Sequence, residues 1–121
     1  MSQLKPHFTP ARRAGDYIFV SGQLPFDKDM NIVEGDIAQQ TEVVIAHIEA
    51  ALQNIGSKLD HVVKTMVWLT DPEDFPLFNT TYARHFQQNP PARATVGSTL
   101  MVPGARIEIE AIAYQPLRDE S

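Results

Sequence analysis

The chain has 121 residues, 43% of them hydrophobic, a net charge of -5 and no cysteine. That is the size and composition of one packed domain, residues 1–121, and it excludes disulfide frameworks, thiolate metal sites and cysteine nucleophiles. The acidic balance, with ten scattered Lys and Arg residues, weighs against nucleic acid as a partner. No apolar run reaches the ~20 residues that span a bilayer, and residues 1–9 lack a signal-peptide core, so a cytoplasmic protein without a membrane partner is expected.

In chain order, Gly15 and Asp16 mark a turn after Arg13. Residues 17–21 are aromatic and β-branched and predict a strand that Gly22 ends or kinks. Residues 25–31 carry Pro, Asp and Asn and predict a loop or hairpin tip, with a short strand at Ile32 and Val33. A helix is predicted over 37–55. Asp36 caps it with Gln39 as the reciprocal partner, and Ile37, Thr41, Val44, Ile48, Ala51, Leu52 and Ile55 form one apolar stripe. Gly56 suits the position just past its end.

Residues 61–69 predict a central strand and Thr70–Pro72 a turn. A second helix starts at Asp74 or Phe75 and runs to Gln87, with Pro76 in its first turn. Phe75, Phe78, Tyr82 and Phe86 are its core stripe, and Asn79 lies beside it, bordering the core or a neighbouring subunit. Pro90 and Pro91 stop the helix. Strands follow at 92–98 and 105–114 around a loop at Pro103 and Gly104, then a polar tail from Pro116. The order predicts an α+β fold with two helices on one sheet face. The other face, partly polar, suits packing in an oligomer around clefts.

Strand alternation puts Arg93, Thr95 and Gly97 on one face, and Arg106, Glu108 and Glu110 on one face of the last strand. If those strands lie near each other, a guanidinium sits close to a carboxylate. That pairing grips a small carboxylic acid and moves a proton or a water. The plainer readings are an ion pair for Arg93, a solvated position or an Arg106 partner for Glu108, a surface amide for Asn79 and a satisfied strand end for Ser21. The four histidines show no metal-like pairing, and no serine-hydrolase elbow is present.

Several segments occur together in order: Phe19–Gln23 with Leu24 and Pro25, Gln40-Thr41, Val63–Thr65, Leu69–Asp71, Asp74-Phe75, Asn79 with Tyr82, Pro91–Arg93, and Ile107–Ala113. Together they resemble the RidA/YjgF family of reactive imine and enamine deaminases, over nearly the whole chain from Phe8 to Tyr114. The resemblance implies a chorismate-mutase-like α+β fold with a mixed sheet, assembled as a homotrimer with active sites between subunits. It also implies hydrolysis of a small carboxylate-bearing 2-imino acid, or its enamine, to a 2-oxo acid and ammonia. No metal or organic cofactor is needed, because the imine carbon is already electrophilic.

By the same resemblance, Arg93 matches the arginine that binds the substrate carboxylate, and Glu108 the glutamate that orients or activates the attacking water. Asn79, Ser21 and Gly22 match residues lining the cleft, and Thr95 falls where many members have cysteine, so that its backbone contributes. One departure stands out. Many members carry a tyrosine where the ungapped match gives Phe8; a one-residue gap brings His7 there. Either way a polar contact to substrate is altered. Other readings are a deaminase for another enamine such as aminoacrylate or aminomuconate, a non-catalytic protein holding a 2-oxo acid on Arg93, and an RNA-acting translation inhibitor, against which the acidic balance counts.

Overall fold

The helix marked most strongly by the sequence, α1 (Ile37–Gln53), is also the best-capped element of the computed structural model, which describes residues 7–117. Asp36 Oδ1 accepts from the Gln39 amide at 3.0 Å, and Gln39 Oε1 accepts from the Asp36 amide at 2.9 Å. At the other end Gly56 takes φ 82°, and the Gly56 and Ser57 amides donate to the Gln53 and Leu52 carbonyls. The buried face carries Val44, Ile45, Ile48 and Leu52. Each such side chain contributes roughly 1.5–3 kcal/mol of transfer free energy.

Five strands form the sheet beneath: β1 (Ala11–Ala14), β2 (Tyr17–Gln23), β3 (Val62–Leu69), β4 (Ala92–Gly97) and β5 (Ile107–Tyr114). Their order is β1-β2-β5-β3-β4, antiparallel throughout except for the parallel pair β3–β4. The parallel pair needs a crossover, which α2 (Phe75–His85) supplies. The α+β fold expected from the element order and the mixed sheet implied by the resemblance are thus present, with α1 and α2 on one face.

Alternation sorts the side chains. Ile107, Ile109, Ala111 and Ala113 face the helices beside Ile18, Val20, Val67 and Leu69, all buried. The opposite face displays Tyr17, Phe19, Val96 and Tyr114, each between 40% and 48% exposed, together with Met66, Trp68 and Ile112. It is more apolar than expected from the last strand alone, because β2, β3 and β4 all add to it.

Several expectations change. β1 is unmarked in the sequence, where residues 13–16 predict a turn; Ala11–Ala14 has no aromatic or β-branched residue, and its pairing is imposed by β2 across Gly15 at φ 60°. Of the two expectations for Gly22, an end or a kink to β2, the kink is the one observed. The strand continues to Gln23 through a register shift, with one extra residue on the β2 side. The short strand at Ile32 is a single bridge to Phe26. The second helix stops at His85, where Phe86 leaves helical geometry with ψ 43°. Phe75, expected in the core stripe, is 41% exposed. The tail read from Pro116 lies, beyond Leu117, outside the described residues.

Candidate active site

Arg93 stands on the edge strand β4, paired in register with Thr65 of β3. Thr65 is fully buried and faces α2, so Arg93 is turned to the same side. Its Cζ lies 4.9 Å from the ring centre of Tyr82, 5.3 Å from that of Phe78 and 5.8 Å from that of Phe75. Among the described residues no ion pair or side-chain hydrogen bond involves Arg93. A groove of about 580 Å³ opens beside it, bounded by Asn79, Tyr82, Phe86, Pro90 and Pro91. Thr95, two residues on, points to the same side, and its buried hydroxyl has no partner among the described residues. Arg93 and Thr95 therefore lie on one sheet edge under α2, which brings its Asn79 to the Arg93 groove, while Thr95 lines an adjacent hollow with Pro72 and Phe75.

Glu108 lies elsewhere. It pairs in register with Trp68, on the sheet face away from the helices, since its neighbours Ile107 and Ile109 are buried toward them. Its carboxylate lies against Gly22, where an added Cβ would collide with Glu108 Oε2. The extra residue in β2 brings that backbone over the acid. Burial raises the Glu108 pKa above the ordinary carboxylate value, and the charge of Glu110 raises it further. Ser21 donates its hydroxyl to the Thr9 carbonyl at 2.6 Å, and its amide donates to the Pro10 carbonyl. These bonds tie the segment bearing Phe8 to the same end of β2; Phe8 itself is 60% exposed. Glu108, Gly22, Ser21 and Phe8 thus form a second group.

The two groups do not meet within one chain. β3 separates β4 from β5, and Arg93 and Glu108 face opposite sides of the sheet. The condition that their strands lie near each other is not met inside a single chain. Arg106 also departs from the face it was expected to share with Glu108. Its guanidinium meets the Asp74 carboxylate at 2.9 and 3.1 Å, while its amide donates to Gln40 Oε1. It is therefore not a partner of Glu108.

The sequence marks Tyr82 and Phe78 as core residues. They are core, yet they also underlie Arg93. Tyr82 Oη is 2.7 Å from Thr65 Oγ1; burial pushes its pKa up, opposed by that hydrogen bond and by the Arg93 charge. The three-and-four spacing of Phe75, Phe78 and Tyr82 marks a helix face. Nothing local in the sequence says that β4 passes beneath it.

Known proteins share this arrangement of elements. The family model described as Endoribonuclease L-PSP matches residues 2–115. A RutC family protein of Pyrococcus abyssi is 41% identical over 109 residues, covering 89% of this chain and 86% of the relative. The crystal structure of the Escherichia coli YjgF gene product superimposes with a TM-score of 0.83 at 31% identity, covering 90% of this chain and 88% of that one. The crystal structure of RidA from an Antarctic Psychrobacter gives 0.85 at 34% identity, covering 93% and 91%. With the sheet order, the helix placement and the motifs all agreeing along the chain, this protein belongs to the L-PSP, or RidA/YjgF, family.

Proposed function

We propose that the protein hydrolyses small 2-imino acids, or their enamine tautomers, to 2-oxo acids and ammonia, without a cofactor, in sites shared between copies of the chain. The observation that carries this reading is the division of the candidate residues into two groups. Arg93, Asn79 and Thr95 sit at one sheet edge, and Glu108, Gly22 and Ser21 on the opposite face. Each group lacks what the other holds, so a complete site takes Arg93 from one subunit and Glu108 from another. The apolar open face bearing Tyr17, Phe19, Val96 and Tyr114 supports association, and a closed homotrimer matches each group to its complement three times.

In this site Arg93 holds the substrate carboxylate through its planar fork of N–H donors. A water oriented by Glu108 adds its oxygen to the imine carbon, and the imine nitrogen takes up a proton. A C–O bond forms as the C=N π bond opens. A second proton reaches nitrogen, the C–N bond breaks, ammonia leaves and the C=O bond of the 2-oxo acid closes. Glu108 receives and returns the proton. Its raised pKa makes the carboxylate a stronger base toward the attacking water than an ordinary glutamate. The cysteine-free composition fits a reducing compartment such as the cytoplasm.

The test generates 2-iminobutanoate with an amino-acid oxidase in the presence of semicarbazide, which competes for the imine. Wild type should suppress semicarbazone formation, and Arg93→Ala and Glu108→Gln should each lose on the order of 100-fold in activity. Full activity in Arg93→Ala would remove the clamp. No activity from correctly assembled wild type would move the protein to a different enamine, or to a 2-oxo-acid binder without turnover.

A further inference from the structure

An arginine in a protein cleft is usually fixed by a carboxylate, which takes up two of its N–H groups and cancels its charge. Arg93 is fixed differently. Its guanidinium lies over three rings at 4.9, 5.3 and 5.8 Å. Those rings form a continuous column, with Phe75 to Phe78 centroids 6.4 Å apart and Phe78 to Tyr82 centroids 5.4 Å apart. Phe86 extends it, 4.6 Å from Tyr82. The position of Tyr82 is set by its hydroxyl, 2.7 Å from Thr65 Oγ1. Thr65 is also the residue opposite Arg93 in the β3–β4 ladder. The strand partner of the arginine therefore anchors the ring on which the arginine rests.

The geometry points to the aromatic face of α2 as the positioning device for Arg93, with Phe75, Phe78 and Tyr82 seating the guanidinium by cation–π attraction. Ring faces attract a cation through their quadrupole without consuming hydrogen bonds. The charge stays whole, and the N–H groups stay available to a carboxylate ligand. These three are positioning residues that act through Arg93. The inference rests on the carboxylate-clamp reading of Arg93 and adds what holds the clamp.

Phe75 makes the test practicable. It is 41% exposed, so Phe75→Leu removes a ring from the seat without opening the core. Tyr82→Leu removes the nearest ring, and Tyr82→Phe keeps the ring but not the hydroxyl. Binding of 2-oxobutanoate and of its uncharged amide would be measured by calorimetry on the intact protein, alongside thermal midpoints and Arg93→Ala. Phe75→Leu should weaken carboxylate binding roughly two- to fivefold, and Tyr82→Leu roughly tenfold. Tyr82→Phe, which keeps the ring but loses its anchor on Thr65, should fall between wild type and Tyr82→Leu, amide binding should change little, and the Phe75→Leu midpoint should not move. If Arg93→Ala binds the carboxylate as wild type does, the clamp fails and the seat with it. If Arg93→Ala loses binding while Phe75→Leu and Tyr82→Leu retain it, the clamp stands and the seat is overturned. Should Tyr82→Leu not fold, unchanged binding in Phe75→Leu overturns it alone.

Discussion

Gly22 and Glu108 show how one missing Cβ can place a carboxylate. No other residue type at 22 leaves room for Glu108 Oε2 where it lies. Arg93 and Glu108 were both legible as candidates, because strand alternation is a local property and each lies in a run of clear β character. Their opposition across the sheet was not legible, since the face a strand turns inward depends on which neighbour it joins. The environment of Glu108 was likewise hidden: within the chain burial and the neighbouring Glu110 charge raise its pKa, and neither the depth of burial nor the effect of Glu110 is a local property of the sequence. Glu110 carries negative charge on the same face, and that charge disfavours ionised Glu108. Removing it makes ionisation easier, so the acidic limb of kcat/KM moves to lower pH in Glu110→Gln. A pH–rate profile in which the limb stays put, or moves up, would contradict the assigned coupling.

At the level of elements, legibility followed how local the determinants are. α1 carries its own cap, stripe and terminal glycine within the segment, and the predicted bounds differ from the observed ones by two residues at one end. Asp36→Ala removes one side of its capping box and should cost about 1 kcal/mol, read as a lower denaturant midpoint with unchanged slope. An unaltered midpoint would mean that packing against the sheet alone fixes the helix start. β1 behaves in the opposite way. Its sequence has little strand character, and its conformation is supplied by β2 and by the Arg13 guanidinium reaching the Gln115 carbonyl at 2.8 Å. The double role of the α2 stripe was missed for a related reason. A helix face reports that it is covered, not what covers it.

On the scale of the whole molecule, two helices on one face of a sheet could be read from the order of elements, but the order of strands within the sheet could not. The open face follows from that order, because it collects Phe19 of β2, Trp68 of β3, Val96 of β4 and Tyr114 of β5 on one surface. Phe19→Glu places a charge in the middle of it. If the proposed assembly forms through this face, the variant should keep its circular dichroism spectrum but sediment as a smaller species than wild type, and lose the proposed deaminase activity with it. Wild type and variant sedimenting alike would detach the open face from any role in association. The strand order also bears on synthesis. β5 comes last of the five strands, yet it lies between β2 and β3 and, among the described residues, is the strand that joins the two halves of the sheet. While the chain is being made from its N-terminus, β1–β2–α1 and β3–α2–β4 have no ladder between them, and their apolar faces wait uncovered. Until Ile107 emerges the halves can meet through α1 and α2, where Glu42 faces Arg84 and His85, and release of the final strand is the event that makes their strands one sheet.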